Sequence, residues 1–233
     1  MTGRLPRGSL DRDLILAAAE RLAAEAGLGE VTIRRVAAAL GVQHPAVHYH
    51  FARRDDLVDA LLARAVERFN EALPVVESDD WEDHLRHYWE GFRAVLRADP
   101  ALFELVVGQW ARMGRSQQAL DSSYLRIDAQ LGVLLRAGFS PEQAGYAYHL
   151  LSTYTRGCLV SEYQFAGSLG ATAPGEPLEA SAKTLPGDLG QYPNLSKVVA
   201  HSWSYTFATD ADYTNGLAII VQGLRAWLEP TPL

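Results

Sequence analysis

The sequence predicts an all-α protein: a small helix-turn-helix head followed by a larger helical body. Three observations lead there. Apolar residues recur at helical spacing almost throughout, and no convincing alternating strand interrupts them. Caps, glycines and prolines divide the chain at helix-length intervals. Charge is uneven as well. Residues 1–54 hold eight Arg and five acids, whereas the remainder holds 13 basic and 23 acidic residues, for a total of −7. A basic head on an acidic body argues against a non-specific polyanion binder. With 233 residues, 48% hydrophobic and 21% charged, the chain has room for one large domain or two unequal ones with a real core. No run of 18 apolar residues suggests a membrane span, and no apolar leader core is seen. The lone Cys158 can form neither an intrachain disulfide nor a thiolate metal cage. These features point to the cytoplasm and to no membrane partner.

Each element has its own signal. Leu14, Ala18, Leu22 and Ala26 mark a first helix, with Ser9 as N-cap and Gly27 as stop. A short second helix runs from Thr32 to Gly41, and a third begins at His44-Pro45, where proline suits the first turn. A fourth spans about 55–73, is apolar at Leu57, Leu61, Leu62, Ala65 and Phe69, and is stopped by Pro74. Asp79 and Glu82 have capping-box spacing before a fifth helix that carries Trp81, Leu85, Tyr88, Trp89, Phe92 and Leu96. A shorter helix covers about 101–111, another about 117–137, closed by Gly138. Ser140-Pro141-Glu142-Gln143 opens a helix reaching about Phe165. Five Gly and four Pro in 166–194 predict a long mobile loop. Helices at about 195–208 and 210–228 complete the chain. The last is apolar all round at 217–221, with Gly216 and Gly223 permitting close approach. Dimerisation is the natural cover for it, and burial within one subunit is the other.

Function is most legible in 32–51. Ala37 supplies a small residue where two helices cross, and Gly41 a turn residue that tolerates positive φ. Val42 and Val47 hold the second helix down. That helix is too short and polar to be core, so it offers His44, His48, Tyr49 and His50 to phosphates or base edges. Arg34, Arg35, Arg53 and Arg54 flank it, as phosphate neutralisation requires. A metal site is the rival for His44 and His48, which lie one turn apart, but no Cys or acid is placed to complete it. His84 and His87, also about a turn apart, read as a solvated face. In the body, Trp81, Tyr88, Trp89, Phe92, Trp110 and Tyr154 suggest an aromatic-lined cavity or simply a core. Asn70, Gln109, Gln130, His149 and Thr153 are polar groups within apolar helices, and a ligand or a protein group must satisfy them.

These motifs resemble the tetracycline-repressor (TetR) family of transcription regulators. The resemblance rests on the first amphipathic helix, Thr32 through Leu40, Gly41-Val42, Pro45, the aromatic run 48–51 and Asp55-Leu57. It extends more weakly through Trp81-Glu82-Asp83, Phe92-Arg93, Gln130-Leu131, Gly138-Phe139-Ser140 and Gly157-Cys158. It implies a homodimeric repressor whose third helices enter major grooves of a palindromic double-stranded operator, with a small-molecule effector in the C-terminal domain. It also implies that the last long helices pair into a four-helix bundle. The organisation expected is a head over 1–54, a connecting helix over 55–73 and a ligand-binding and dimerisation domain over 74–233. The matching DNA contacts are Thr32, Arg34, His44, Pro45, His48, Tyr49, His50 and Arg54. Matching effector positions are Asn70, Tyr88, Phe92 and Gln130, joined by the residue-based candidates Gln109, Trp110, His149, Thr153 and Tyr154.

The family pattern breaks where drug-and-magnesium binding members use a histidine and an acid. Here Glu104 and Ser161 stand, with Glu162 adjacent, and a pocket amide becomes Tyr88. This implies a different, aromatic-containing organic effector, with no metal and no cofactor. Two other classes stay open: an all-helical enzyme with a vestigial head, and a ligand-independent regulator or activator. No cofactor fingerprint or nucleophile–base pair favours the enzyme.

Overall fold

The computed structural model describes residues 10–168, 189–201 and 209–228, and every regular element among them is helical. No helix there is long and apolar enough to cross a membrane. The chain forms two compact units, Met1–Leu73 with Asp99–Ala129, and Pro74–Ala98 with Gln130–Leu233.

The first unit begins with α1 (Arg12–Ala26), capped by Asp11, whose carboxylate accepts from Leu14 N at 2.8 Å. The cap is therefore not Ser9, which lies outside the described residues. The buried stripe is Ile15, Leu16, Ala18, Ala19 and Ala23. Leu14 sits at its rim, 38% exposed, and Ala26 faces out. At 100° per residue, the Ala18 stripe centres nearer Ile15 than Leu14. After a 3-10 turn (Leu28–Glu30), α2 (Ile33–Ala39) is capped by the Thr32 hydroxyl, which accepts from Arg35 N at 3.2 Å. Gly41 turns the chain at φ 66°, and Val42 N donates to Ala37 O at 3.0 Å. That brings in α3 (His44–His50). In α4 (Arg54–Ala72), the expected apolar face is buried in full, and the Asp56 carboxylate accepts from Arg53 N at 3.0 Å.

The single helix expected over 101–111 is three pieces. They are α6 (Pro100–Phe103), a π turn (Glu104–Gly108) and a 3-10 turn (Trp110–Arg115). Side chains pin this irregular stretch at several points. Asp99 caps α6 through Leu102 N (3.0 Å) and pairs with Arg68 (3.0 Å). Glu104 accepts from Leu28 N at 3.0 Å, and Arg112 pairs with Asp59 (2.8 Å) and Asp55 (3.3 Å). The Glu104 carboxylate is thus engaged by a backbone N–H. Helix α7 (Gln117–Arg136) follows and ends at Gly138, φ 102°.

In the second unit α5 (Trp81–Ala98), α8 (Pro141–Ser168) and α10 (Asp210–Leu228) pack on one another. The cap of α5 is Asp80 rather than Asp79. Its Oδ1 accepts from Glu82 N at 2.8 Å, because Asp80 is the residue directly before the first helical one. Glu82 instead pairs with Arg225 and Arg86, and the Arg225 hydrogen bond pulls its carboxyl below the ordinary glutamate range. The α8 capping box forms as read: Ser140 N donates to Gln143 Oε1 (2.9 Å) and Gln143 N to Ser140 Oγ (3.2 Å). The helix continues to Ser168, into the stretch read as loop; 169–188 lie outside the described residues. Helix α9 spans Pro193–His201, and the expected continuation over 202–208 is likewise outside them. In α10, Tyr213, Leu217, Val221 and Leu224 are buried, while Ala218, Ile219, Gln222 and Gly223 face out. Gly216 admits a neighbour from its own chain, since a Cβ there would overlap the Tyr154 hydroxyl.

Candidate nucleic-acid interface

Helix α3 has one inward face and one outward face. Val47 is fully buried, and Phe51 just after the helix is 1% exposed. The Arg12 guanidinium lies over the Phe51 ring at 4.2 Å and donates to His50 O at 3.0 Å, tying the end of α3 to α1. Outward, Tyr49 is 87% exposed, and His44, Pro45 and His48 are exposed as well. The His44 and His48 rings lie 5.6 Å apart. A seven-residue helix held by Val47 thus carries a row of hydrogen-bonding side chains that the head's own core does not use. A row of this kind is what a major groove reads. No group of three or more His, Cys, Asp or Glu among the described residues could hold a metal ion.

The other expected contacts divide. Arg34 is exposed and available to a phosphate; Arg35 is tied to Glu30. Thr32 is half-buried and caps α2, with its hydroxyl hydrogen left to donate. His50 is half-buried, its ring edge-on to Tyr49 at 5.3 Å. Arg54 departs from expectation. Its Nε donates to Val31 O and its NH2 to Leu28 O, both at 2.8 Å, so the guanidinium staples the α1–α2 connection. Replacing Arg54 by alanine leaves two carbonyls short of a donor and is expected to cost about 1–3 kcal/mol of stability. Thermal denaturation would measure this. The salt dependence of DNA binding would stay unchanged, whereas loss of a phosphate contact would lower the slope by about 1 per head.

The nine effector candidates fall in both units. Asn70, Gln109 and Trp110 belong to the first. Asn70 Nδ2 donates to Ser122 O at 3.2 Å, and its buried Oδ1 has no donor among the described residues. Gln109 is half-buried between the π and 3-10 turns. In the second unit, Tyr88 and Phe92 sit on α5 with ring centroids 6.5 Å apart. Trp89 contacts both, and also Tyr148 at 5.5 Å, so this part of the aromatic set is tightly packed. Gln130 is 7% exposed, and its Oε1 lies 3.1 Å from His84 Nε2. His84 is therefore buried, not part of a solvated face. Tyr154 stacks on Tyr213 at 5.5 Å and gives its hydroxyl to Tyr213 O at 3.1 Å. The sequence places His149 and Thr153 as polar groups inside an apolar helix. They lie on the exposed side of α8, because Ala144, Ala147, Leu151, Thr155 and Leu159 turn the other side inward.

Sequence reasoning missed a buried ionic cluster. Arg93 on α5 donates to Glu162 on α8 and to Asp210 at the start of α10, both at 2.8 Å, and Arg97 lies 3.1 Å from Glu162. Burial pushes Glu162 above its usual range, and the Arg93 hydrogen bond draws Asp210 below its own. The partners are 69 and 117 residues apart along the chain, so no spacing pattern announces them.

Two family models match the chain. Residues 15–61 match the family model described as bacterial regulatory proteins, tetR family, and residues 73–228 match the tetracyclin repressor-like C-terminal domain. The tetracycline repressor protein class C of Escherichia coli is 33% identical over 218 residues, covering 93% of this chain and 91% of that protein. A possible TetR family transcriptional regulator from Streptomyces coelicolor A3(2) has a TM-score of 0.68 at 28% identity, covering 93% of this chain and all of that one. ActR of Streptomyces coelicolor, in complex with actinorhodin, has a TM-score of 0.67 at 22% identity, covering 96% and 100%. A reading helix with an unspent polar face, and family matches across both head and body, lead to one conclusion: the chain belongs to the TetR family of bacterial DNA-binding transcriptional regulators.

Proposed function

We propose that the chain works as a homodimeric repressor, released from a palindromic operator by a small aromatic-containing organic effector. The observation that carries the reading is Tyr49, 87% exposed one turn-face away from the fully buried Val47. Two such heads in a symmetric dimer would meet two half-sites. Dimerisation is supported by apolar side chains left open on α8 and α10: Tyr146 (57% exposed), Val160 (36%), Ile219 (69%) and Trp227 (42%). Repression is supported by the name of the Escherichia coli relative, and an aromatic effector by the actinorhodin bound to ActR. The aromatic cluster of α5 is the apolar surface in the second unit that suits such a molecule. Effector action is then a difference in its affinity for two dimer states, reciprocal with DNA. Regulation rather than catalysis is the role this supports.

Binding to a 200–300 base-pair fragment upstream of the chain's own gene, at moderate and raised salt, tests the DNA half. Sedimentation of the same sample tests the dimer. Tight, salt-sensitive binding by a dimer supports the reading and supplies an assay for effector release. If compounds that bind the body never alter DNA affinity, the ligand switch is wrong and a ligand-independent regulator stands.

A further inference from the structure

The reading helix has no fixed charge. Helix α3 contains His44, His48 and His50 and no Lys, Arg, Asp or Glu. His44 and His48 are exposed one turn apart, with ring centroids 5.6 Å from each other. Neither imidazole has a hydrogen-bond or ion-pair partner among the described residues. The charged groups of the neighbouring elements are mostly spent on one another. On α1, Arg12 donates to His50 O. On α2, Arg35 pairs with Glu30 of the 3-10 turn, and Arg34 has no partner among the described residues. At the start of α4, Arg53 pairs with Asp56 at 3.5 Å, Asp55 pairs with Arg112, and Arg54 is held by Leu28 O and Val31 O. Glu30, Asp55 and Asp56 thus each have an arginine already, and none of them serves His44 or His48.

Histidine is the side chain that ordinarily changes charge between about pH 5 and 8. Protonated, its ring donates from both nitrogens, and a hydrogen bond from a cation to a phosphate is the stronger kind. Two imidazolium groups this close repel each other, and a phosphate beside them offsets the repulsion. Protons and DNA therefore favour each other's binding, and the coupling is reciprocal. We infer that the His44–His48 pair makes DNA binding proton-linked. The head takes up protons as it docks, and its hold on the duplex tightens as pH falls from about 8 to about 6. The inference rests on the reading that α3 enters the major groove. Arg34 supplies a charge that does not titrate in this range, so binding at the alkaline end is weaker but not lost.

The test uses the full-length protein and a labelled random-sequence duplex of about 30 base pairs, because phosphate neutralisation needs no operator. Fluorescence anisotropy is followed over a salt series at about pH 6 and about pH 8, the two series at matched ionic strengths. The wild type is expected to bind about 10-fold tighter at the lower pH. Its salt slope is expected to steepen by about 0.9 for each histidine that becomes charged. The double variant His44→Gln/His48→Gln keeps a neutral hydrogen-bond donor at both exposed positions, and circular dichroism checks its fold. It is expected to bind within about twofold of wild type at the higher pH and to lose both the tightening and the change in slope. His87→Gln removes an exposed histidine of α5, outside the head, and is expected to keep both. A wild-type slope that is the same at both pH values overturns the inference and leaves the DNA reading in place. So does a tightening that survives in the double variant or disappears in His87→Gln. Absence of duplex binding at either pH, even at low salt, overturns the inference and the DNA reading together.

Discussion

Tyr49→Ala is expected to lower operator affinity by about 10- to 100-fold for each contacting head while leaving the melting temperature unchanged. The two halves of this result come from the same geometry. Tyr49 is 87% exposed, so its removal takes nothing from the head's core. Its neighbour Val47 is fully buried, so the backbone of α3 stays where it is. What disappears is a neutral phenol that can donate to a phosphate or meet a base edge. Being neutral, Tyr49 releases no counterion, and the salt slope of the variant should match the wild type. Arg34→Ala gives the complementary pattern: weaker binding to specific and random DNA alike, with the slope lower by about 1 per head. Fluorescence anisotropy across a salt series measures both. If Tyr49→Ala binds the operator within twofold of wild type, α3 does not read DNA through this residue.

How much of this was readable in advance follows from the distance over which each feature is determined. The turn of the head is local. Ala37, Gly41, Val42 and Val47 lie within eleven positions, and each has a steric reason to be there. The Ser140–Gln143 capping box is equally local and formed as read. Where two neighbours meet the same local rule, spacing did not separate them. Asp79 and Asp80 are both acids before a helix, and only the position of the first helical residue selects Asp80. Leu14 and Ile15 are both apolar in α1, and the packed face selects Ile15. Long-range partners left no trace at all. Arg54 looks like any basic residue beside a reading helix until Leu28 O and Val31 O are found within 2.8 Å of it. His84 and His87 are indistinguishable by spacing, yet one meets Gln130 and the other is exposed and bonds to Asp83 O within its own helix. The π turn is a similar case. Nothing in 104–108 disfavours an α-helix strongly, and the anchors at Asp99, Glu104 and Arg112 reach residues 31 to 76 positions away.

The largest expected loss of stability is for Arg93→Met, at about 3–5 kcal/mol. Arg93 and Glu162 have side chains 6% and 5% exposed, so the pair is shielded from water on both sides. Removing the guanidinium leaves the carboxylate with Arg97, 3.1 Å away, as its one cationic partner among the described residues. Asp210 contributes little of the loss, because its side chain is 75% exposed and solvent screens it. The double variant Arg93→Met/Glu162→Leu is expected to recover much of the deficit, since an apolar pair of similar volume avoids the desolvation that the ions suffer. A recovery of less than about 1 kcal/mol would mean that Arg93 acts through its packing on the Tyr213 ring, 4.6 Å from the guanidinium, and not through charge. Urea denaturation as a function of pH separates the two further. Burial already holds the Glu162 carboxyl above its usual range, and loss of Arg93 raises it more. A carboxyl raised by folding binds its proton more tightly in the native state. The variant therefore gains stability as pH falls from neutrality through that raised value. Wild type moves the other way through Asp210, whose lowered carboxyl stabilises the fold above its unfolded value and loses that contribution as pH falls through the folded one. Both effects narrow the gap between the proteins in acid. A gap that stays constant from neutral to acidic pH would leave packing as the role of Arg93.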